Sequence, residues 1–266
     1  MTPQNTTFLG NNLLTEKVSG CEVALTSYGD STVFEEWHSH ENSGISFLLT
    51  GTHEEDLFGK KHKRVPGNIK FIPAGEMHRC NNYTSGTRKI NLDLSAELYK
   101  AIEISENNIP ALLEDSRQIK FNLLKLYHEV TDQGNHVTAS AQLLLYNLFT
   151  QDINTKSSFE KELPGWVNLL RQILHDEWNV AFDLNDLAKK VGVHPVTISR
   201  YFPQYFSSTL GIYIRNIKVD KALALIKTSK LSLTAIAYTC GFADQAHFTR
   251  TFKSVTGYLP KDYRNI

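Results

Sequence analysis

Three histidines in the first third of the chain have the residue type and spacing of a metal-ligand set. His38 and His40 are two residues apart on a predicted strand, and His78 follows a short turn at residues 73–77. Side chains two residues apart on a strand share a face, and the turn is able to bring the third histidine opposite them. Three imidazoles arranged in this way are able to hold a divalent metal ion.

Two other interpretations of these histidines rank above the metal site. A pocket for a small organic molecule ranks first, with these candidate residues: Trp37, His38, His40, His78 and Arg79. Structural histidines with satisfied hydrogen bonds rank second, so no metal or cofactor is predicted. Trp37 alternates with the histidines along the strand, and the simpler expectation for its side chain is packing in the core.

A second set of residues near the end of the chain is predicted to read DNA, because one pattern occurs there twice. Leu187-Ala188, Gly192-Val193 and Ser199-Arg200-Tyr201-Phe202 return as Ile236-Ala237, Gly241-Phe242 and Thr249-Arg250-Thr251-Phe252. An apolar-Ala pair with Gly four residues later predicts a helix that ends in a tight turn. A second helix follows, starting at His194-Pro195 in one copy and Ala243-Asp244 in the other. Two helix-turn-helix units result.

The second helix of each unit is expected to bury one face and expose the other. The residues predicted to be buried recur every three or four positions: Ile198, Tyr201, Phe202 and Tyr205, then Phe248, Thr251, Phe252 and Val255. The opposite face, with Pro203 at its edge, holds the predicted DNA contacts: Val196, Thr197, Ser199, Arg200, Gln245, Ala246, His247, Thr249, Arg250 and Lys253. Arg pairs with guanine, Gln pairs with adenine, and small or apolar side chains meet a thymine methyl group.

The spacing of the two units adds a geometric argument. Residues 210–229 carry apolar side chains at helical intervals and predict one connecting helix. At about 1.5 Å per residue this helix is roughly 30 Å long, close to the roughly 34 Å between successive major-groove faces on one side of DNA. One helix-turn-helix pattern is often a coincidental helical hairpin, but two copies at this spacing argue against coincidence.

From about residue 184 to residue 264, the chain resembles the AraC/XylS family of bacterial transcription regulators. The second unit carries the more specific signature: Ile236-Ala237, Cys240-Gly241-Phe242, Asp244-Gln245, Phe248, Arg250, Phe252-Lys253, Gly257, Pro260 and Tyr263-Arg264. The resemblance implies that the exposed faces of both second helices contact base edges and that Lys253 lies near phosphates. Three residues depart from the family pattern: Pro203, Ser207 and Leu259. Pro203 is expected to shorten or tilt the first reading helix, and Ser207 stands where the family usually has Gly.

The front half is predicted to form a β barrel with a helical hairpin after it. Segments Cys21–Tyr28, 32–38, 45–50 and Ile69–Ile72 are short and rich in β-branched or aromatic residues. The residues that resemble the second motif of the cupin superfamily are Gly67, Pro73, Gly75, His78 and Asn82. The first motif is half present, because His38-Ser39-His40 and Gly51 fit while Gly44 stands where metal-binding members usually carry Glu. Glu36 or Glu41 replaces it only if the backbone allows. His53 and His62 lie in a charged hairpin and are expected to be solvated.

The chain is long enough for two domains, and composition separates them. Residues 1–153 are predicted to form the cupin-like effector-binding and dimerisation domain, with its helical hairpin at about 116–153. Residues 154–163 form the linker, and residues 164–266 form an all-α DNA-binding domain. The whole chain has 28 basic and 28 acidic residues, but residues 161–266 hold 14 basic against 8 acidic ones, an excess that attracts phosphate.

Two further patterns concern the compartment in which the protein works. Residues 1–7 are polar and no apolar run has the length of a membrane span, so a bacterial cytoplasmic protein without membrane contact is expected, nucleoid-associated when bound to DNA. Cys21, Cys80 and Cys240 are few and widely separated, which argues against disulfides and a cysteine metal site.

The leading hypothesis is therefore a sequence-specific transcription regulator of the AraC type, and not an enzyme. The resemblance implies an activator that responds to a small-molecule effector in the barrel. It also implies a homodimer formed through the helical hairpin. The expected partners are double-stranded DNA, the unidentified effector, a second copy of the chain and RNA polymerase. Two alternatives remain open, a metal-dependent cupin enzyme fused to a DNA-binding tail and a ligand-independent DNA binder.

Overall fold

The protein divides into two compact units, Met1–Gln151 and Asp152–Asn265. Our computed structural model describes residues 8, 10–29, 35–113, 116–132, 139–150 and 163–266. Of the predicted linker at 154–163, all but the last residue lies outside these ranges. Among the helices in the described ranges, none combines the length and apolar character needed to cross a membrane.

The first unit is built on antiparallel strands, which confirms the predicted β-rich domain. The described strands are β1 Asn11–Val18, β2 Cys21–Tyr28, β3 Ser43–Thr50, β4 His53–Leu57, β5 Lys60–Arg64, β6 Ile69–Ile72, β7 Arg79–Asn81 and β8 Thr87–Leu94. They form a five-stranded sheet in the order β1-β2-β8-β3-β6 and a three-stranded sheet in the order β5-β4-β7. The inner strands β2, β3 and β8 are mostly buried, whereas the lysine-rich edge strand β5 is exposed.

Three of the four segments that the sequence predicts as strands form strands, and the fourth, which was expected to carry His38, does not. Cys21–Tyr28 and Ile69–Ile72 match β2 and β6, and 45–50 lies inside β3. The predicted strand at 32–38 is wrong over its described residues 35–38. Here the chain meets its neighbour at two separate points, the Glu35 N–H that donates to Cys80 and the isolated bridge between His38 and His78.

Four α-helices and a short 3-10 helix, Glu106–Asn108, follow β8 in the described part of the first unit; the α-helices are α1 Ala96–Ala101, α2 Ile109–Leu112, α3 Ser116–Asp132 and α4 Ala139–Thr150. Helices α3 and α4 pack against each other, as expected of the helical hairpin at about 116–153. Leu145, Leu148 and Phe149 of α4 are buried, whereas Leu143 and Tyr146 are exposed. Most of the predicted turn at 131–135 lies outside the described residues.

The second unit is all helical over its described residues 163–265. Its helices are α5 Gly165–Asp176, α6 Leu184–Val191, α7 Pro195–Phe206, α8 Leu210–Thr228, α9 Leu233–Thr239, α10 Gln245–Thr256 and α11 Pro260–Asn265. Helices α6 and α7 form the first predicted helix-turn-helix unit, and α9 and α10 form the second. The connecting helix α8 has 19 residues. The glycines after α6 and α9, Gly192 and Gly241, both have a left-handed backbone with φ of 72° and 69°.

The buried faces of α7 and α10 follow the predicted period with one shift. Phe202 and Phe248 are buried as predicted, but Tyr201 is 39% exposed, and Phe206 lies in the core instead. The reason is that α7 continues through Phe206, one turn beyond Phe202, and the two rings stack with centroids 4.1 Å apart. In α10, Thr251 and Val255 are only half-buried, and Thr256 is buried.

The expected shortening of α7 by Pro203 is wrong. Helices α7 and α10, the two predicted DNA-reading helices, each contain 12 residues. Helix α7 keeps this length although Pro203 lies inside it and has no N–H to donate to the preceding turn. Helix α7 ends at Ser207, which has a left-handed backbone with φ of 52°, and Gly257 takes the same region at the end of α10. A side chain at such a position strains the backbone.

We predict that Ser207→Gly raises the free energy of unfolding of the second unit by about 1 kcal/mol, because Gly relieves the left-handed strain at the end of α7. The measurement is urea denaturation of the full chain in a Trp37→Phe background, so that fluorescence reports Trp166 and Trp178 of the second unit. Ser208→Gly is the matched control, because Ser208 does not have a positive φ; it is expected to destabilise. Equal effects of the two substitutions would contradict the role of strain.

Candidate functional site

The predicted DNA contacts lie on the exposed faces of α7 and α10. In α7, Val196 is 61% exposed, Ser199 and Arg200 are exposed, and Thr197 is half-buried. In α10, Thr249 is half-buried, and the exposed predicted contacts are Gln245, Ala246, His247, Arg250 and Lys253. Each helix therefore presents a mixed face of small, polar and basic side chains, which suits base edges and phosphates.

Helices α7 and α10 begin where the sequence predicts, and each start carries a side-chain cap. The His194 side chain accepts a hydrogen bond from the Val196 backbone N–H, and Pro195 occupies the first position of α7. The Asp244 carboxylate accepts from the His247 backbone N–H at 2.6 Å, and this bond is the main cause of the lowered pKa of Asp244. These caps satisfy backbone donors at helix starts and hold the first turn of each helix in place.

Two contacts orient side chains that are predicted to contact DNA, a hydrogen bond at Gln245 and a cation–π contact at Arg200. The Thr234 hydroxyl donates to the Gln245 side-chain carbonyl, which ties the first residue of α10 to α9. The Arg200 guanidinium lies 5.6 Å from the centre of the Tyr201 ring, and this contact accompanies the unexpected exposure of Tyr201.

The turn between α9 and α10 is held from two sides. A Cβ added at Gly241 would lie 2.3 Å from the Asn179 carbonyl oxygen, so this position has room only for glycine. The Lys218 ammonium, which comes from the connecting helix α8, donates to the Gly241 carbonyl at 2.7 Å. Lys218 is 9% exposed, and burial lowers its pKa. A buried amine bonded to a turn carbonyl fixes the direction in which α10 leaves the turn.

A second site is a cavity of about 70 Å³ in the first unit. His38, His40 and His78 line it together, as predicted for the pocket. Trp37 and Arg79 lie outside its lining. Trp37 is 38% exposed rather than packed in the core and stacks on Phe58, and the Arg79 guanidinium lies 4.9 Å from its ring centre.

The three histidine rings are close neighbours. The ring centroids of His38 and His78 are 4.4 Å apart, and those of His40 lie 5.0 and 5.2 Å from the other two. Their potential ligand nitrogens all lie within 4.8 Å of one another. Burial, and then the neighbouring histidines, lower the pKa of His40 to about 4, and burial is also the main cause that lowers the pKa of His78. At neutral pH these two rings are uncharged.

A polar network that sequence reasoning missed reaches the cavity through Glu35 and Lys89, which are part of its lining. The Lys89 ammonium donates to the Tyr83 hydroxyl at 2.9 Å, and that hydroxyl donates to the Glu35 carboxylate at 2.8 Å. Tyr83 also stacks on Tyr28 at 4.0 Å, and Lys89 lies over both rings. Lys89, Glu35 and Tyr83 are all buried. In β8, Lys89 alternates with the apolar residues Ile90 and Leu92, a pattern that predicts an exposed lysine, so the local sequence does not reveal its burial.

His53 is buried, so the expectation that it is solvated is wrong. It is 6% exposed, stacks on Tyr83 at 4.9 Å, and lines the same cavity. Burial is the largest cause, ahead of the positive charges of Lys89 and Arg64, that lowers the pKa of His53 to about 2. Its Nδ1 atom is buried and has no hydrogen-bond partner among the described residues. The reason for the burial is that β4 pairs with strands on both sides, and Glu55 on the same strand is neutralised by Arg64. His62 is exposed, as expected.

The three cysteines are free and buried, in agreement with the sequence. Burial raises the pKa of the Cys240 thiol to about 11 and that of Cys80 to about 12. Protonated buried thiols act as small core residues rather than as nucleophiles.

Comparison with known proteins places both units. A family model for the AraC-like ligand binding domain matches residues 21–149, and one for a helix-turn-helix domain matches residues 187–266. The HTH-type transcriptional activator RhaS of Shigella sonnei is 30% identical over 242 residues, which cover 85% of this chain and 86% of that protein. RhaS of Mannheimia succiniciproducens is 23% identical over 255 residues, which cover 91% of this chain and 93% of that protein. Among solved structures, the C-terminal domain of AraT, a response regulator from Geobacillus stearothermophilus, is 26% identical, with a TM-score of 0.38, and covers 40% of this chain and 88% of that one.

We predict that acid destabilises the first unit through His53. Its pKa is about 2 when folded and 6.5 by default, so below pH 6.5 the unfolded chain binds one more proton than the folded one. The free energy of unfolding is therefore unaffected by His53 above pH 6.5 and falls as the pH drops towards 2. The loss from this group is about 2 to 3 kcal/mol at pH 4.5. His53→Phe keeps the stacking on Tyr83 and removes the titration.

The measurement is urea denaturation at pH 7 and pH 4.5, followed by near-ultraviolet circular dichroism of the stacked tyrosines. The loss of stability between the two pH values is expected to be smaller in His53→Phe than in the natural protein. His62→Gln, at an exposed histidine of the same hairpin, is the control and is expected to leave the loss unchanged. A loss of equal size in the His53→Phe protein would contradict the assignment to His53.

Proposed function

We propose, from the premise that this chain belongs to the AraC family of transcription regulators, that it activates transcription by binding specific DNA sites in response to a small ligand. The observation that carries the DNA-binding part is the repeated helix-turn-helix. Each copy presents a capped 12-residue helix with an exposed polar face. The RhaS relatives are named as transcriptional activators, and on that ground we extend activation to this chain.

We assign base recognition to both reading helices and the more dependable contacts to α10. Helix α8 joins the two helix-turn-helix motifs and has 19 residues, which is about 28 Å at 1.5 Å per residue. That length is comparable to the roughly 34 Å between successive major-groove faces. In this proposal α7 and α10 therefore occupy adjacent grooves of one duplex. The positive excess of residues 161–266 supplies attraction to the phosphates that does not depend on sequence.

We assign the regulatory ligand to the cavity of the first unit. A ligand changes DNA binding only if its affinity differs between the states that bind DNA well and poorly. The cavity supplies the means for such recognition, because His53 has an unpartnered buried nitrogen and the histidine cluster lies in the same wall. Two carboxylates of the pocket are engaged by other side chains, Glu55 by the Arg64 guanidinium and Glu35 by the Tyr83 hydroxyl. This pairing supports a binding role rather than a catalytic one.

We further propose that the active form is a homodimer, that it acts on RNA polymerase at its promoters, and that it works in the compartment that holds the chromosome. Support for the dimer comes from α4, where Leu143 is 59% exposed and Tyr146 is 52% exposed, on the face opposite its buried residues. Exposed large apolar side chains on one helix face are typical of a protein interface. A homodimer is symmetric, so its two copies match two DNA sites that are related by the same symmetry.

The test of the DNA-binding proposal begins with selection of bound DNA from a random pool by the full chain. Arg250→Ala is expected to weaken binding to the selected sequence by about 1 to 3 kcal/mol and to relax the base preference at one position. Lys253→Ala is expected to weaken selected and random DNA alike and to reduce the salt dependence, because its contact is a phosphate. Fluorescence anisotropy at several salt concentrations measures both effects. Equal losses on selected and random DNA for both variants would refute base reading by α10.

The dimer prediction uses two neighbouring residues of α4. Leu143→Glu places a charge in the proposed interface and is expected to give a monomer at micromolar concentration, where the natural protein is a dimer by light scattering. Gln142→Glu adds the same charge at an adjacent exposed position that is already polar and is expected to leave the dimer intact. A monomeric natural protein, with and without DNA, would rule out the interface.

A further inference from the structure

Gln245 is held in one orientation by a residue of the preceding helix. It is the first residue of α10, and its side-chain carbonyl oxygen accepts a hydrogen bond from the Thr234 hydroxyl of α9. Thr234 and Gln245 are both exposed, so this contact lies on the surface and not in the core. Its main effect is therefore on the direction of the Gln245 amide rather than on the packing of the two helices.

Both ends of this hydrogen bond belong to helix starts that are themselves capped. Thr234 follows the cap residue of α9, Ser232, whose side chain accepts from the Ala235 backbone N–H at 3.1 Å. Gln245 follows Asp244, the cap residue of α10. The Gln245 side chain therefore extends from a defined point at the start of α10, the part of a recognition helix that contacts base edges.

The first helix-turn-helix motif has no equivalent of this contact. Aligning the cap residues His194 and Asp244 places Pro195 where α10 has Gln245. A proline side chain has no hydrogen-bonding atom, so it neither accepts from α6 nor reads a base edge through hydrogen bonds. Of the two motifs, the second is thus the one in which a neighbouring helix orients the first residue of the reader.

The donors and acceptors of the held amide determine which base it fits. An unrestrained glutamine pairs with adenine, because its carbonyl accepts from the N6 amino group while its nitrogen donates to N7. Here the carbonyl oxygen already accepts from Thr234, and adenine would require it to accept a second hydrogen bond. The amide nitrogen, Nε2, still offers two N–H donors. Guanine presents two acceptors in the major groove, O6 and N7, whereas thymine presents one and cytosine presents a donor.

We propose that Gln245 selects guanine rather than adenine in the DNA site of α10, and that Thr234 is the positioning residue that sets this choice. The assignment rests on the proposed function, because it gives a base to a helix that we place in the major groove. It replaces the adenine that residue type alone suggests for Gln245. Thr234 itself touches no base and acts through the Gln245 carbonyl.

The first experiment selects DNA from a random pool with the full natural chain and with Gln245→Ala. The position that Gln245 reads is the one where this variant loses its base preference, and the natural protein is expected to select guanine there. Arg250→Ala is the matched control, because its loss of preference is expected at a different position. Adenine at the Gln245 position would overturn the assignment. Cytosine would also do so, since it would mean that the carbonyl faces the base.

The positioning role of Thr234 is tested with two substitutions at an exposed residue. Thr234→Val removes the hydroxyl and keeps the shape of the side chain, so the preference for guanine over adenine is expected to fall about threefold or more. Thr234→Ser keeps a hydroxyl and is expected to retain the preference. Fluorescence anisotropy with two duplexes that differ in this base pair measures the ratio of affinities. A merely structural role would weaken both duplexes alike, so an unchanged ratio in Thr234→Val would refute the positioning role.

The second experiment uses base analogues with the natural protein, so its result does not depend on the folding of a variant. Replacing the selected guanine by 7-deazaguanine removes the N7 acceptor and is expected to weaken binding about fivefold. Inosine keeps O6 and N7 and lacks a minor-groove amino group, so it is expected to bind about as well as guanine. In Gln245→Ala, 7-deazaguanine is expected to have no effect. Equal binding of the guanine and 7-deazaguanine duplexes by the natural protein would contradict donation from Gln245.

The selection experiment also distinguishes the guanine assignment from DNA recognition as such. A selected motif in which Gln245→Ala alters no position would rule out base reading by Gln245 and leave recognition by the other contacts in place. Selection of no motif at all by the natural protein would refute the proposed function and the guanine assignment together.

Discussion

The close approach of backbone at Gly241 is the constraint on which the second reading helix depends. The Asn179 carbonyl lies where a Cβ would be, and the Lys218 ammonium holds the Gly241 carbonyl from the other side. Removing an amine from water is costly, but a hydrogen bond of 2.7 Å and the Phe242 ring, 5.9 Å away, offset part of that cost. Because Lys218 belongs to the connecting helix α8, the direction of α10 is set relative to the helix that joins the two helix-turn-helix motifs.

The first copy of the motif lacks this constraint. Among the described residues, apart from its own chain neighbours, no atom lies within 4 Å of a Cβ added at Gly192, although its backbone is left-handed like that of Gly241. Helix α7 also carries Pro203 in its interior and ends at a strained Ser207 rather than a glycine. The two readers are therefore alike in length and cap but unequal in how firmly their turns are held. A reader with a looser turn adapts its angle to the groove at lower cost, which favours assigning strict base recognition to α10 and adaptable recognition to α7.

The parts of the fold that the sequence predicted are those set by local physics. The glycine turns, the starts of α7 and α10, and the connecting helix follow from neighbouring residues, and the sequence predicts each of them within one or two positions. The burial of His53, Glu35 and Lys89 depends on pairings between strands that are distant along the chain, and the local sequence around His53 is that of an exposed hairpin. The histidine cluster formed as anticipated even though the strand expected to carry it did not. The reason is that one backbone bridge, between His38 and His78, is enough to bring the rings together.

The size of the cavity limits what the first unit is able to recognise. A space of about 70 Å³ corresponds to roughly five water-sized positions, fewer than a large organic effector needs unless the walls move. Those walls resist movement, because Lys89, Tyr83 and Glu35 form a buried network that loses its hydrogen bonds if it opens. A compact molecule needs no such opening, because the polar groups of His53 and of the histidine cluster already line the free space. The effector that we propose for this cavity is therefore a small polar one, since its binding requires the least protein rearrangement.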